Sequence, residues 1–141
     1  MIVRRAGAAD AAALAELRDI APGELAAFTT WVTAHAQTHL PFVAEIDGRV
    51  IGAAWLLVAD RVPGNGALDR QYGDIQSVMV REEHRKQGVG AALMAAILAE
   101  AQARHLLHVT VHSGRRAVDF YLRTGFRHHR QILLWEPAAP Q

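Results

Sequence analysis

HRKQGVGAALMAAILAE, residues 84–100, sets Arg85 and Lys86, then Gly88 and Gly90, directly ahead of an alanine-rich amphipathic helix. Gly88 and Gly90 lack β-carbons, so backbone N–H groups beside them can approach a ligand closely. The helix that follows starts with unpaired N–H groups and a partial positive charge, which stabilises an anion without any side chain. Arg85 and Lys86 add full charges at the same end. A phosphate is the expected occupant; the alternative is that the glycines only form a tight turn and the basic pair is solvated. Two nucleotide loops are excluded by the residues present. The dinucleotide fingerprint needs Gly or Ala where Leu93 stands, and a Walker loop needs a Gly-Lys-Ser/Thr run that is missing.

A chain of 141 residues is about one domain, expected over residues 1–136, with the Pro-Ala-Ala-Pro-Gln tail at 137–141 disordered. Lys plus Arg number 15 and Asp plus Glu 14, a net charge of +1 that gives no bulk attraction to nucleic acid or an anionic membrane. With no cysteine there is neither a disulfide framework nor thiolate chemistry. Arg4 and Arg5 stand where a secretory segment would be apolar, and no run reaches the roughly 18 apolar residues of a membrane span. A cytoplasmic protein is expected. Eight histidines include the pairs His35/His39, His108/His112 and His128/His129, but no His-Glu-x-x-His frame accompanies them, so no metal is expected.

Ile2 and Val3 begin a short strand, and Asp10 is the expected cap of a helix bearing Ala13, Leu14 and Leu17. Pro22 opens a second helix to about residue 35. Strands are expected over residues 42–46 and 50–58, joined by the hairpin signal Asp47-Gly48. A flexible loop follows over residues 60–70, carrying Pro63-Gly64-Asn65-Gly66. Further strands are expected at 72–80 and 106–111, a short helix at 115–124, and strand material up to Trp135. Ile75, Val78 and Val80 are apolar at spacings of three and then two, which a regular strand cannot put on one face; an extra residue between them, a β-bulge, restores the register. On the short helix Ala117 and Tyr121 lie four apart on one face, with Gly125 at its end, so Tyr121 should point inward. On periodicity alone it reads as a core residue. The whole is an α+β, mixed α/β arrangement.

Arg85-x-x-Gly88-x-Gly90 resembles the pyrophosphate loop of the GNAT superfamily of acetyl-CoA-dependent N-acetyltransferases, whose signature is Gln/Arg-x-x-Gly-x-Gly/Ala. Three further segments are similar in the same order: VRRAGAADAAALAEL near the start, FVAEIDGRVIGAA in the hairpin and AVDFYLRTGF near the end. The resemblance implies a central, mixed, mostly antiparallel sheet with helices on both faces and splayed fourth and fifth strands. It implies acetyl-CoA as cosubstrate, contacted by the backbone of Val78, Met79 and Val80, by Arg85, Lys86, Gln87, Gly88, Val89, Gly90 and Ala91 in the loop, and by Tyr121. Tyr121 would donate the proton to the departing thiolate. An asparagine common in the family before the last helix is absent; His112-Ser113-Gly114 stands there, and Ser113 is the candidate replacement contact.

The implied reaction is direct attack of an amine on the thioester through a tetrahedral intermediate, with no acyl-enzyme. The glutamate that family members often place on the fourth strand corresponds to Gln76, which cannot act as a carboxylate base. Asp74, two residues back on the same face, is the substitute candidate, with a solvated or capping aspartate as the alternative. The acceptor is a small-molecule or peptide amine, and Trp31, Trp55 and Tyr72 are candidates to line its pocket, with core packing the favoured role for Trp55. Two other readings stand beside this one: a catalytically silent coenzyme-A-binding regulatory module of the same fold, and an unrelated phosphate-binding fold. After Phe126 the chain offers one extended strand or a very tight hairpin, which a homodimer contact would complete.

Overall fold

The computed structural model describes residues 1–138. Its five strands are β1 (Ile2–Arg5), β2 (His39–Ile46), β3 (Arg49–Asp60), β4 (Gln71–Val80) and β5 (Val109–Val111), which lie side by side in chain order. β1 to β4 pair antiparallel, while β5 runs parallel to β4. A parallel neighbour requires a crossover, and the helix α3 (Val89–Ala103) supplies it. The other helices are α1 (Ala11–Leu17), α2 (Leu25–Ala34) and α4 (Val118–Arg123).

The hairpin between β2 and β3 turns at Asp47 (φ 50°) and Gly48 (φ 78°), both left-handed as a two-residue turn of matching twist requires. β3 is buried along most of its length because both its faces are covered. On one, Phe42, Ile51, Leu56 and Ile75 meet Val89, Leu93, Met94 and Ile97 of α3. On the other, Val43, Ala53 and Trp55 meet Leu14 and Leu17 of α1 and Val32 of α2. Leu93, fully buried in that first core, is therefore a packing residue, which explains its departure from the dinucleotide pattern. Arg81 ties the end of β4 to α1: its Nε donates to the Val50 carbonyl (2.8 Å) and its guanidinium pairs with Glu16 (2.8 Å).

The expected bulge lies at Gln76. Trp55 faces Ser77 and Leu56 faces Ile75, leaving Gln76 without a partner position on β3. β5 pairs with β4 only at Gly73, Asp74 and Ile75, so from Gln76 onward the two strands part. A gap opens at the bulge, toward the start of α3.

Several expectations are corrected. Asp10 stands at the N-cap position of α1, but its side chain bonds no N–H of that helix; its carboxylate accepts two bonds from the Arg4 guanidinium (2.9 Å each) and one from the Gly7 N–H (2.9 Å) at the start of the preceding turn. The fifth strand is Val109–Val111 rather than 106–111. Residues 127–138 form neither an extended strand nor a hairpin, and Leu133 and Trp135 are 87% and 81% exposed. Four consecutive apolar residues, Ile132 to Trp135, give no alternation to define a buried face, and β5 offers an edge of only three residues. The expected disordered tail, 137–141, lies outside the described residues from 139 onward. Among the described residues no helix is long and apolar enough to cross a membrane.

Candidate active site

The turn into α3 is built by backbone conformation. Arg85 is extended, Lys86 has φ 61° and Gly88 has φ 82°, and the helix begins at Val89. Left-handed residues in such a turn aim successive N–H groups into one concavity, a shape that takes anions. A lysine at positive φ is a strained residue, a state found preferentially at functional sites. Arg85 Nε donates to the Val80 carbonyl (3.1 Å), fastening the turn to the end of β4. The two glycines differ in purpose. Gly88 supplies the left-handed conformation and has open space where a side chain would project, whereas a β-carbon on Gly90 would lie 3.1 Å from Phe120 Cε1. Gly90 is thus small to let α4 pack on α3, not only to admit a ligand.

α4 carries Tyr121 inward, 9% exposed, with Gly125 (φ 109°) just beyond the helix end. Its ring lies edge-on to Phe120 (5.0 Å between centroids) and Phe126 (5.5 Å). A tyrosine hydroxyl is protonated at neutral pH, and burial pushes that of Tyr121 further above its ordinary pKa. The neighbouring Thr124 hydroxyl donates to the Tyr121 carbonyl (2.9 Å), holding the end of the helix without engaging the phenol.

One cavity of about 610 Å³ joins these parts. Of the residues expected from the sequence, Val78, Val80, Arg85, Lys86, Gly88, Val89, Gly90, Ala91 and Tyr121 line it. Met79 does not; it packs against the core beneath α1 and α2. Gln87 turns back to the Glu83 carbonyl (3.4 Å). Ser113 donates to the Gly114 carbonyl (2.7 Å) and lines two adjoining grooves, one shared with Tyr121 and one with Asp74. Asp74 and Tyr121 therefore border neighbouring grooves rather than one cavity. Asp74 Oδ1 accepts from the Thr110 hydroxyl (2.6 Å) and Oδ2 from the Gln76 amide (3.4 Å), so the carboxylate is held on the open edge where β4 leaves β5. Sequence reasoning missed His84, Phe120 and Arg123 on the cavity wall. Phe120 is recognisable only once its contact with Gly90 is seen. His84, whose Nδ1 is buried without a partner among the described residues, adjoins the basic pair and was within reach of the same charge argument.

The α1/α2 face of the sheet holds a second cavity of about 330 Å³, lined by Arg18, Phe28, Trp31, His39, Trp55, Gln76 and Ser77. Trp31 and Trp55 are on its lining, and Trp55, 6% exposed, also packs in the core beneath α1 and α2; Tyr72 is not on the lining and lies beside His108 (5.7 Å). Trp31 stacks on His35 (4.0 Å) and meets Trp55 edge-on (6.3 Å). Burial and the neighbouring His35 hold the His39 imidazole below its ordinary pKa, and its Nδ1 lies 2.9 Å from the Thr38 hydroxyl. Gln76, the bulge residue, borders both this cavity and the Asp74 groove. Among the described residues no group of three or more His, Cys, Asp or Glu is placed to hold a metal ion.

A mixed sheet parting at a bulged fourth strand, with a glycine turn and a helix start at the gap and a buried tyrosine on its wall, defines an acetyltransferase-type fold. Residues 10–126 match the acetyltransferase (GNAT) family, and the chain belongs to it. Over 94 residues the chain is 30% identical to the glucosamine 6-phosphate N-acetyltransferase of Trypanosoma brucei brucei, a match taking in 66% of this chain and 62% of that one, less than two thirds of the relative's length. The crystal structure of a Trypanosoma brucei acetyltransferase superposes with a TM-score of 0.80 at 21% identity, over 96% of this chain and 99% of that one. A predicted acetyltransferase of Clostridium acetobutylicum, solved with acetyl-CoA, superposes with a TM-score of 0.77 at 17% identity, over 96% and 95%. These structural likenesses are likenesses of fold.

Proposed function

We propose that the protein is an N-acetyltransferase that moves the acetyl group of acetyl-CoA to the amine of a small molecule or peptide, in a cytoplasmic setting. The observation that carries this reading is the single cavity that joins the free end of β4, the turn at Gly88 and the hydroxyl-bearing face of α4. The cavity suits a polyanionic cosubstrate: Arg85 and Lys86 are cations, the start of α3 presents unpaired N–H groups, and His84 Nδ1 is a buried polar atom without a partner among the described residues.

Acetyl-CoA supplies an activated acyl group on sulfur, so an amine nitrogen bonds to the carbonyl carbon to give a tetrahedral intermediate, and the carbon–sulfur bond then breaks as the carbonyl re-forms. Val78 and Val80, on a strand edge that β5 leaves unpaired, would hold the pantetheine arm. Asp74 would take the proton that the amine gives up, directly or through one water. Tyr121, a phenol protonated at neutral pH and held so more firmly by burial, would hand its proton to the departing sulfur.

An amine panel incubated with acetyl-CoA and read by free thiol tests the reading, beside calorimetric titration with acetyl-CoA. Binding together with amine-dependent thiol release supports it. Binding without release makes the protein a coenzyme-A-binding module, and absence of binding overturns the assignment of the cavity.

A further inference from the structure

The second cavity carries its own chemistry. We infer that the acceptor is an arylalkylamine bearing one anionic group, with its flat ring against Trp31 and Trp55 and its anion at Arg18, an inference that rests on the acetyl-transfer reading.

Three of the cavity's walls, Phe28, Trp31 and Trp55, are aromatic, and its volume of about 330 Å³ is at the small end of ligand pockets. Trp31 is 41% exposed in a protein whose core tryptophan, Trp55, is 6% exposed, so its indole is presented to the cavity mouth rather than consumed by packing. Stacking on His35 fixes that indole in one orientation. Arg18 is the one formally charged residue on the lining, and among the described residues it has no carboxylate partner; nearby Glu16 is engaged by Arg81. Burial and the adjacent His35 hold the His39 imidazole below its ordinary pKa, which disfavours its cation. The cavity therefore offers one positive charge, of the planar, forked kind that matches a carboxylate or phosphate.

Beside the His39 imidazole, whose Nδ1 is already paired with the Thr38 hydroxyl, the remaining polar side chains are Gln76 and Ser77 at the bulge; Gln76 also borders the Asp74 groove, where the amine would react. Few groups are left to pair with the several hydroxyls of a sugar, and a hydroxyl desolvated without a partner costs about 1–3 kcal/mol. Glucosamine 6-phosphate, named for the trypanosomal relative, is on these grounds a poorer fit than an arylalkylamine acid.

The test compares 4-(2-aminoethyl)benzoate, its uncharged amide 4-(2-aminoethyl)benzamide and glucosamine 6-phosphate, by kcat/KM from free thiol. The same three compounds are titrated by quenching of tryptophan fluorescence in a Trp135→Phe background, which leaves only Trp31 and Trp55 to report. We expect the benzoate to exceed the benzamide by about tenfold, the worth of one charge-assisted pair, and to exceed the sugar phosphate. Arg18→Gln should bring the benzoate-to-benzamide ratio close to one in both measurements. A best rate with glucosamine 6-phosphate, equal rates for the two aryl amines, or a preference that survives Arg18→Gln overturns the inference. The two readings fail separately. Quenching that keeps the Arg18-dependent preference while no acceptor releases thiol defeats acetyl transfer and keeps the ligand class; thiol release without the preference does the reverse.

Discussion

A β-carbon on Gly90 would lie 3.1 Å from Cε1 and 3.2 Å from Cζ of Phe120, so α3 and α4 meet through a missing side chain and a ring edge. The residue after Phe120 is Tyr121, and the position of the phenol in the cavity depends on how closely α4 sits against the glycine. The turn that starts α3 and the helix that bears the tyrosine are one mechanical unit.

Gly90→Ala should push the Phe120 ring away and shift α4 with it, lowering kcat by about tenfold, since small misplacements of a proton donor are costly. Phe120→Leu in the same chain should recover much of the loss by making room. Steady-state kinetics on both single variants and the double variant read the coupling directly. Strict additivity would show that the two positions act independently.

Gly88 isolates the turn from that contact, because nothing lies within 4 Å of a β-carbon there while φ is 82°. Gly88→Val should strain the backbone by about 1–3 kcal/mol and weaken acetyl-CoA binding. Gly88→Asn, with a side chain that tolerates left-handed φ, should retain most of the affinity. Calorimetry that finds Gly88→Val binding as tightly as the wild type removes the turn from the coenzyme site.

Asp74→Asn should slow turnover most below the pKa of the acceptor amine, about 10 for a lysine-like group, and least where rising pH supplies free amine. The Thr110 hydroxyl, 2.6 Å from Asp74 Oδ1, holds the carboxylate, so Thr110→Val should give a smaller loss of the same form. Wild-type rates for Asp74→Asn across the whole pH profile would make that carboxylate structural.

The Arg4–Asp10 pair sets an acid limit on stability. Arg4 hydrogen-bonds and charge hold the Asp10 carboxyl below its ordinary value, so its contribution is complete above about pH 4 and is lost as pH falls through the lower folded-state value. Asp10→Asn should cost about 1–2 kcal/mol at pH 7 and remove this part of the acid dependence. Urea midpoints at pH 7 and pH 3 measure it; equal losses at both pH values contradict the assignment.

Features written in a few neighbouring residues were legible before any coordinates. Asp47-Gly48 specifies its turn through two left-handed positions, the spacing of Ile75, Val78 and Val80 requires an extra residue that turns out to be Gln76, and the interval from Ala117 to Tyr121 sets the tyrosine inward. What was not legible depends on residues distant in the chain. β2 begins at His39 because it pairs with Leu57 of β3, and Gly90 is constrained by a ring thirty residues away. Asp10 was readable as a helix cap but is claimed by Arg4. The acceptor cavity gathers Arg18, Phe28 and His39 from α1's end, α2 and β2, and no local pattern links them. The terminal segment failed for the opposite reason: its apolar residues suggest a strand, while the short β5 edge provides almost nothing to pair with.

The central claim is that Tyr121 is the proton donor, and Tyr121→Phe tests it most directly because the ring and its packing on Phe120 and Phe126 are kept while the hydroxyl is lost. Measured together, Tm and acetyl-CoA affinity should stay near the wild-type values while kcat falls by about 100-fold or more. A variant that melts early, with turnover per folded molecule intact, would make Tyr121 a core residue and leave the departing sulfur to another acid.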